Sequence, residues 1–233
     1  MKKLLSISAL AVAAALVWAG SANAADMPLK AAPPPLPPPP AWTGMYIGIN
    51  GGYGWNTSRH SVPGLTTGDF NFNGGLFGVT YGGNWQMGSA VLGFESDYDW
   101  ADFNGSSAAV CGAVSCFTKT KSFATERMRA GWDWNGWLLY GTAGAAFART
   151  QAGVTGCPAV ASCDERWRSG WTAGVGVETI FWRTWSAKVE YLHYDLGNSF
   201  NYGGGAPVSV KDQGDMVRAG INYHFDLLNL LHF

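Results

Sequence analysis

The feature that most constrains this chain is an alternation of residue types that returns along most of its length. Between Met45 and Trp55 the odd positions carry mostly large apolar residues, and the even positions carry mostly glycine or asparagine. A period of two with one apolar face is typical of a β-strand whose other face is polar or crowded. Seven further segments of this kind follow, at 74–82, 91–100, 123–132, 138–148, 171–181, 187–196 and 216–225.

The connections between these segments alternate in length. Those after the first, third, fifth and seventh segments are polar and run to roughly 15 to 20 residues, whereas short turns fall at 83–89, 133–137 and 182–186. Long loops on one side and short turns on the other are typical of membrane barrels, whose long loops lie outside the cell. The sequence therefore predicts an all-β fold, a closed antiparallel eight-stranded transmembrane β-barrel over residues 43–225, with long outer loops and short periplasmic turns. Closure is expected because an open strand edge in lipid would leave backbone groups unpaired.

The ends of the chain predict export to the cell outer membrane. Two lysines precede an apolar run, and residues 22–24 supply the small side chains of a cleavage site, so residues 1–24 are predicted to be a cleaved signal peptide. Residues 25–42 are rich in proline, which lacks the N–H that a strand needs, and predict an extended periplasmic linker. Residues 226–233 follow the last segment and either extend that strand or form a tail.

The tryptophans agree with a membrane location. One group lies beside the short turns and a second group lies near the long loops, as expected for aromatic girdles at the two membrane interfaces. The first group is Trp85, Trp132, Trp134, Trp137, Trp182 and Trp185, and the second is Trp55, Trp100, Trp167 and Trp171.

Composition and charge narrow the choice of partners. Only 13% of the residues are charged, whereas soluble proteins carry about a quarter. Without Lys2 and Lys3 the chain has 13 basic and 16 acidic residues, and no basic cluster indicates a nucleic-acid partner. The expected partners are outer-membrane lipids and, during biogenesis, the barrel-assembly machinery, with peptidoglycan or a host surface as further candidates.

Four cysteines form two close pairs, Cys111 with Cys116 and Cys157 with Cys163, and both pairs fall in predicted long loops. An exported chain meets an oxidising compartment, where neighbouring cysteines are expected to form disulfides. A metal site is the competing interpretation, but histidine does not accompany either pair in the spacing that zinc sites use.

Most charged residues of the predicted strands lie on the face opposite the aromatic and aliphatic side chains. A lipid-facing charge at the bilayer midplane costs about 2–4 kcal/mol, so these residues are expected to point inward and pair. The predicted structural cluster in the lumen is Glu95, Asp97, Asp99, Arg127, Arg129, Glu178, Lys188, Glu190 and Arg218, with His224 on the same face. Glu95, Asp97 and Asp99 are expected to pair with Arg127 and Arg129 on the next strand, leaving the lumen plugged.

The same residues carry no pattern that predicts catalysis, a cofactor or a metal. Carboxylates in ion pairs stay ionised, whereas an acid catalyst needs a proton to give. A divalent cation would require oxygen ligands without adjacent bases. His60 is expected in a loop and His193 on the lipid face without a neighbouring nucleophile. The sequence therefore predicts a non-enzymatic protein.

Six segments of the chain form a distinctive set: Thr43-Gly44-x-Tyr46-x-Gly48-x-Asn50-Gly51-Gly52-Tyr53-Gly54-Trp55, Gly93-Phe94-Glu95-x-Asp97, Arg127-x-Arg129-x-Gly131-Trp132, Gly170-Trp171-Thr172-x-Gly174-x-Gly176-x-Glu178, Trp185-Ser186-Ala187-Lys188-x-Glu190-Tyr191-Leu192 and Val217-Arg218-x-Gly220-x-Asn222-Tyr223-x-Phe225. Together they resemble the small outer-membrane β-barrel (porin-like, immunogenic surface antigen) family of alphaproteobacteria. The resemblance implies a barrel similar to the membrane domain of outer membrane protein A. It carries over no catalytic residue, and it implies surface antigenicity and envelope integrity, with haem binding in some members. The chain differs from the family in one respect: such barrels often end on an aromatic residue, whereas here residues 226–233 follow Phe225.

Three functional hypotheses follow from these observations. The leading one is a structural surface protein with a charge-paired, plugged lumen that displays four extracellular loops. A small porin-like channel for ions or solutes is the first alternative, although eight strands leave an interior just wide enough for side chains. Binding of a ligand such as haem, or of a host surface, through the loops is the second.

Overall fold

The computed structural model describes residues 42–62, 65–108, 115–154, 163–198, 200–202 and 208–225. Within these ranges the regular structure consists of eleven β-strands: β1 Gly44–Val62, β2 Leu65–Thr66, β3 Phe70–Asn71, β4 Gly74–Met87, β5 Ala90–Ser107, β6 Cys116–Trp134, β7 Trp137–Val154, β8 Cys163–Trp182, β9 Trp185–Asp195, β10 Phe200–Tyr202 and β11 Val208–Phe225. The predicted signal peptide, all of the predicted linker except Trp42, and residues 226–233 lie outside them. In the part of the chain that is described, no helix has the length and apolarity to cross a membrane.

The eight long strands pair in a ring, each antiparallel to both of its neighbours. The order is β1-β4-β5-β6-β7-β8-β9-β11, and β11 pairs back onto β1 from Met45↔Phe225 to Ser61↔Ser209. No long strand is therefore left with an unpaired edge along this path, which is the arrangement that a sheet in lipid requires. The prediction of an antiparallel all-β fold with a ring of about eight strands is confirmed.

Tight turns join the strands at one end of the ring. Gly88, Gly136 and the non-glycine residues Asn135 and Arg183 adopt positive φ there, as two-residue hairpins demand. These turns lie within the three short connections that the sequence predicts. The register Met45↔Phe225 also fixes the pairing of the last strand.

Several strands are much longer than the ten-residue segments predicted for them. The segment 123–132 is part of a strand that runs over Cys116–Trp134, and 171–181 is part of Cys163–Trp182. The added residues lie at the long-loop end, where Lys119 pairs with Gln151 and the ladder continues in polar sequence. Hydrophobic periodicity could not detect these extensions, and the predicted loops were too long. His60, which was predicted in a loop, is a buried residue of β1.

Side chains alternate between the outer face and the interior of the ring as predicted. On β6, Met128 and Trp132 are exposed, whereas Arg127 and Arg129 are buried. Inward glycines make room for large neighbours, because a Cβ on Gly82 would lie 2.5 Å from Cζ of Tyr46.

The interior is layered along the ring. Near the short turns, Trp42, Val91, Leu138 and Tyr140 form a small apolar cluster. A larger apolar cluster, which includes Phe103, lies toward the long loops. Because Val91 and Phe103 lie on β5 on either side of Glu95, Asp97 and Asp99, the charged residues occupy the layer between the two clusters.

Candidate functional site

The charged layer of the interior draws side chains from five strands. β5 supplies Glu95, Asp97 and Asp99, β6 supplies Arg127 and Arg129, β8 supplies Glu178, β9 supplies Lys188 and Glu190, and β11 supplies Arg218. None of these nine residues is more than 4% exposed. We call them the lumen network.

Arg127 is the centre of the lumen network. Its Nη2 donates to Glu95 Oε1 and to Asp97 Oδ2, each at 2.6 Å, and its Nη1 donates to Glu190 Oε2 at 3.0 Å. Nε donates to Thr125 Oγ1 at 3.1 Å. Three carboxylates therefore share one guanidinium, and two of them lie on the neighbouring strand.

Arg218 makes a second such centre. It donates from Nη1 to Asp99 Oδ2 at 2.7 Å and from Nη2 to Asp97 Oδ2 at 2.9 Å. The same Nη2 lies 2.5 Å from Glu190 Oε1. Asp97 and Glu190 join the two centres, because each contacts both Arg127 and Arg218. Lys188 Nζ donates to Glu95 Oε2 at 2.7 Å and lies 3.7 Å from Glu190 Oε1.

Arg129 extends the lumen network toward the short turns. Its Nη2 donates to Glu178 Oε2 at 2.6 Å, and its Nη1 donates to the hydroxyl of Tyr46 at 2.9 Å. Its guanidinium carbon lies 4.0 Å from the ring centroid of Tyr140, a cation–π distance. Tyr46 donates in turn to Glu95 Oε2 at 2.9 Å. The two tyrosines were not predicted as site residues, although both share the inward parity of their strands.

Glu178 forms the end of the lumen network, beside His224. Ser186 and Asn222 donate to Glu178 Oε1 at 2.5 and 2.7 Å. His224 Nε2 lies 2.8 Å from Ser186 Oγ and 3.6 Å from Glu178 Oε1.

Trp42 covers this end of the interior. The residue is fully buried, its Nε1 donates to Asp133 Oδ1 at 3.0 Å, and its backbone N–H donates to Gln86 Oε1 at 3.0 Å. Gln86 Nε2 donates to Asp133 Oδ2 at 3.2 Å, so the three residues form a closed triangle beside the short turns. Trp42, the last residue of the predicted linker, is thus part of the ring's interior.

Glu95, Asp97 and Glu190 place carboxylate oxygens within 4.8 Å of one another, close enough to share a cation. The guanidinium of Arg127 lies among these oxygens, at 2.6, 2.6 and 3.0 Å. A metal ligand set normally has no competing base. The cationic side chain therefore takes the position that an ion would need.

A second polar cluster lies beyond the larger apolar cluster, toward the long loops. Arg168 contacts Asp212 and donates to the carbonyls of Gly197 and Val210 at 2.7 and 3.0 Å. His60 Nε2 lies 2.8 Å from Thr118 Oγ1. His60 is five positions beyond Trp55 and so outside the lipid-facing band, where burial and then the charge of Arg168 lower its pKa to about 4.

This outer cluster was missed by sequence reasoning, which looked for charges inside apolar segments. A usable signal exists, because Arg168 shares its parity with Glu178 on β8 and Asp212 shares its parity with Arg218 on β11.

Two carboxylates, Asp215 and Glu126, lie on the outer face of the ring between the levels of the two tryptophan groups or beside them. His193 is partly buried there, and its Nδ1 lies 2.8 Å from Asp215 Oδ1. Glu126 is exposed on β6 and contacts Ser96 Oγ. Since Glu126 lies between Trp132 and the level of Trp100, its carboxyl group falls within the apolar outer band.

The structure describes only one cysteine of each predicted disulfide pair. Cys116 begins β6 and Cys163 begins β8, whereas Cys111 and Cys157 lie outside the described residues. Both disulfides stay predictions.

A ring of antiparallel strands with charged residues inside and apolar residues outside is the arrangement of membrane β-barrels. Residues 11–225 match the family model of the outer membrane protein beta-barrel domain. The chain is 32% identical to a 31 kDa outer-membrane immunogenic protein of Brucella melitensis, over 91% of this chain and 96% of that protein. It is also 32% identical to a 25 kDa outer-membrane immunogenic protein of Brucella abortus, over 97% of this chain and 99% of the relative.

Among solved structures, the outer membrane protein OprG of Pseudomonas aeruginosa is similar with a TM-score of 0.49 and 12% identity, covering 79% of this chain and 97% of OprG. From the family model and the Brucella relatives, the chain belongs to the outer membrane β-barrel domain family.

Proposed function

We propose that this protein is a non-enzymatic surface protein of the outer membrane. In this proposal the barrel is closed and plugged, and it displays four loops outside the cell. The observation that carries the proposal is the lumen network, in which no residue is more than 4% exposed. We expect these ion pairs, which connect several strands, to block the passage of solutes through that layer.

The outer face supports a membrane location for the ring. Large apolar side chains such as Ile49, Phe77 and Leu139 are 65–68% exposed, which would be unfavourable in water but suits contact with lipid. The short turns, the start of β1 and the end of β11 then lie in the periplasm, and the four long connections lie outside. The names of the Brucella relatives, which describe immunogenic outer-membrane proteins, agree with exposure of these loops.

A conductance measurement tests the plugged lumen. Purified protein, refolded and inserted into planar bilayers, is expected to give no steady single-channel current. Arg127→Ala combined with Lys188→Ala should open a path if the lumen network is the barrier, and Arg149→Ala, which changes an exposed residue, should not. Reproducible currents in the unmodified protein would favour the channel hypothesis instead.

Protease treatment of intact cells tests the topology. Cleavage mapped by mass spectrometry is expected only within the long connections near residues 63–73, 108–115, 155–162 and 196–207. Cleavage at the turns Asn135–Gly136 or Arg183–Thr184 in intact cells would reverse the proposed orientation.

A further inference from the structure

On the outer face of β1, β11 and β9, the type of side chain changes from one row of residues to the next toward the long loops. Trp55, Asp215 and His193 pair side by side across the three strands. The next outward row is Thr57, Gln213 and Asp195, and the row beyond it joins Arg59 to Lys211. Apolar surface thus gives way to aromatic and hydrogen-bonding groups, and these give way to cations.

A cleft of about 240 Å³ opens on the first two of these rows. It is lined by Trp55, Asn71, Asn73, His193, Gln213 and Asp215, among others. Asp215 Oδ1 accepts from Tyr191 at 2.5 Å and lies 2.8 Å from His193 Nδ1, which fixes the imidazole. Amide, carboxylate and imidazole groups beside an exposed indole offer donors, acceptors and a flat apolar face together. These groups suit the hydroxyls and ring face of a saccharide.

A small cavity of about 50 Å³ adjoins the cleft and shares Thr57 and Gln213 with it. Its charged lining residues are Arg59, Lys211 and Asp69. Arg59 uses Nε and Nη2 to bind Asp69 at 2.7 and 2.8 Å, whereas Lys211 Nζ lies 3.9 Å from Asp195 Oδ2, at the limit of an ion pair. Lys211 can therefore turn to an anionic group such as phosphate at little cost.

A groove of about 500 Å³ lies on the same three strands on the membrane side of the cleft. Gly51 pairs with Ala219 at its floor, and Ile49, Ile221 and Val189 form its walls. A Cβ on Gly51 would meet no atom closer than 3.6 Å, so the space over the floor is open. Its small floor and branched walls match an alkyl chain.

We infer that this face of β1, β11 and β9 binds a phosphorylated glycolipid of the outer leaflet. The acyl chain lies in the groove, the saccharide lies in the cleft, and the phosphate contacts Lys211. A phospholipid would place its acyl chain in the groove and its phosphate beside Lys211, but it would leave the cleft without a sugar ring. The inference rests on the proposed function, which places the long-loop end of the barrel outside the cell.

Native mass spectrometry of the full mature chain, folded in detergent, tests the inference with purified lipid A, an acylated and phosphorylated glucosamine disaccharide. Lys211→Ala removes the cation, and Ala219→Leu fills the groove. Each is expected to weaken lipid A binding about tenfold, the effect of losing one charge-assisted contact or one well-packed apolar contact.

Two matched controls lie elsewhere on the ring. Lys119→Ala removes an outward lysine of β6 whose side chain is 42% exposed, compared with 46% for Lys211. Ala143→Leu enlarges an exposed alanine of β7. Both controls are expected to bind lipid A within about twofold of the unmodified protein.

Equal binding by all four variants would overturn the inference, as would equal affinity for lipid A and phosphatidylglycerol. A soluble sugar phosphate that bound as tightly as lipid A would contradict the part played by the groove. These outcomes require a folded barrel, which heat-modified mobility on gels establishes for each variant. Failure of the unmodified chain to fold in detergent would contradict the proposed function itself.

Discussion

Arg127 on β6 donates a hydrogen bond of 3.0 Å to Glu190 on β9, and two strands of the wall lie between them. The bond therefore crosses the interior of the ring. Arg218 on β11 does the same toward Asp97 on β5, with β1 and β4 between them.

Removing Arg127 should destabilise the barrel strongly. Arg127→Ala leaves the carboxylates of Glu95, Asp97 and Glu190 buried with one cation fewer, and breaking a buried pair in this way costs about 3–5 kcal/mol. Urea unfolding in lipid vesicles measures the loss. Arg149→Ala is the control, because its ion pair with Glu165 is exposed and should contribute less than about 1 kcal/mol. Similar losses in the two variants would contradict a structural role for the lumen network.

Trp42 should contribute to the stability of the barrel through both its packing and its hydrogen bond. Trp42→Ala empties the space beside the short turns and is expected to cost about 3–5 kcal/mol of unfolding free energy. Trp42→Phe keeps most of the packing and leaves Asp133 without its indole donor, so it should cost about 1–3 kcal/mol. The same vesicle assay compares them. A loss below about 1 kcal/mol for Trp42→Ala would show that the residue is not anchored in the ring.

Glu126 is expected to lower the unfolding free energy of the unmodified protein. Its carboxyl group lies on the apolar outer face, where a charged side chain is unfavourable, although less so for Glu than for Arg or Lys. Glu126→Leu is therefore expected to raise the unfolding free energy by about 1–2 kcal/mol. Met128→Leu, two positions along the same face, should change it little. A decrease for Glu126→Leu would mean that the hydrogen bond from Ser96 Oγ outweighs the cost of holding the carboxyl group in the apolar band.

His60 should make stability depend on pH in the acid range. Its pKa is lowered to about 4 in the folded protein, mainly by burial, whereas the unfolded chain takes up the proton near pH 6.5. The unfolded state then binds more protons between these values, so stability falls as pH drops from about 6.5 to about 4 and levels off below. The expected loss is on the order of 3 kcal/mol.

His60→Gln isolates this contribution because it keeps a polar side chain near Thr118 but cannot titrate. Unfolding free energies at pH 7 and near pH 4 should differ less in this variant than in the unmodified protein. An unchanged difference would assign the acid sensitivity to other groups.

The alternation of residue types was enough to predict the ring and the inward charges of the apolar segments, because parity is a local property of a strand. The pairing of Arg127 with Glu95 and Asp97 also follows from adjacent strands. The contacts of Arg127 with Glu190 and of Arg218 with Asp97 could not be predicted, since they depend on the diameter and stagger of the ring. Nor could the ends of the strands, where polar residues continue the ladder without an apolar signal.

The crossing bonds of Arg127 and Arg218 also bear on how such a surface can evolve. Each ties two strands that lie three positions apart in the ring, and we expect such ties to resist changes in the shape of the wall. If the long connections lie outside the cell, as proposed, substitutions and insertions in them would change what an antibody meets without loosening the barrel. Variation of the antigen and rigidity of the barrel would then reside in different parts of one small domain.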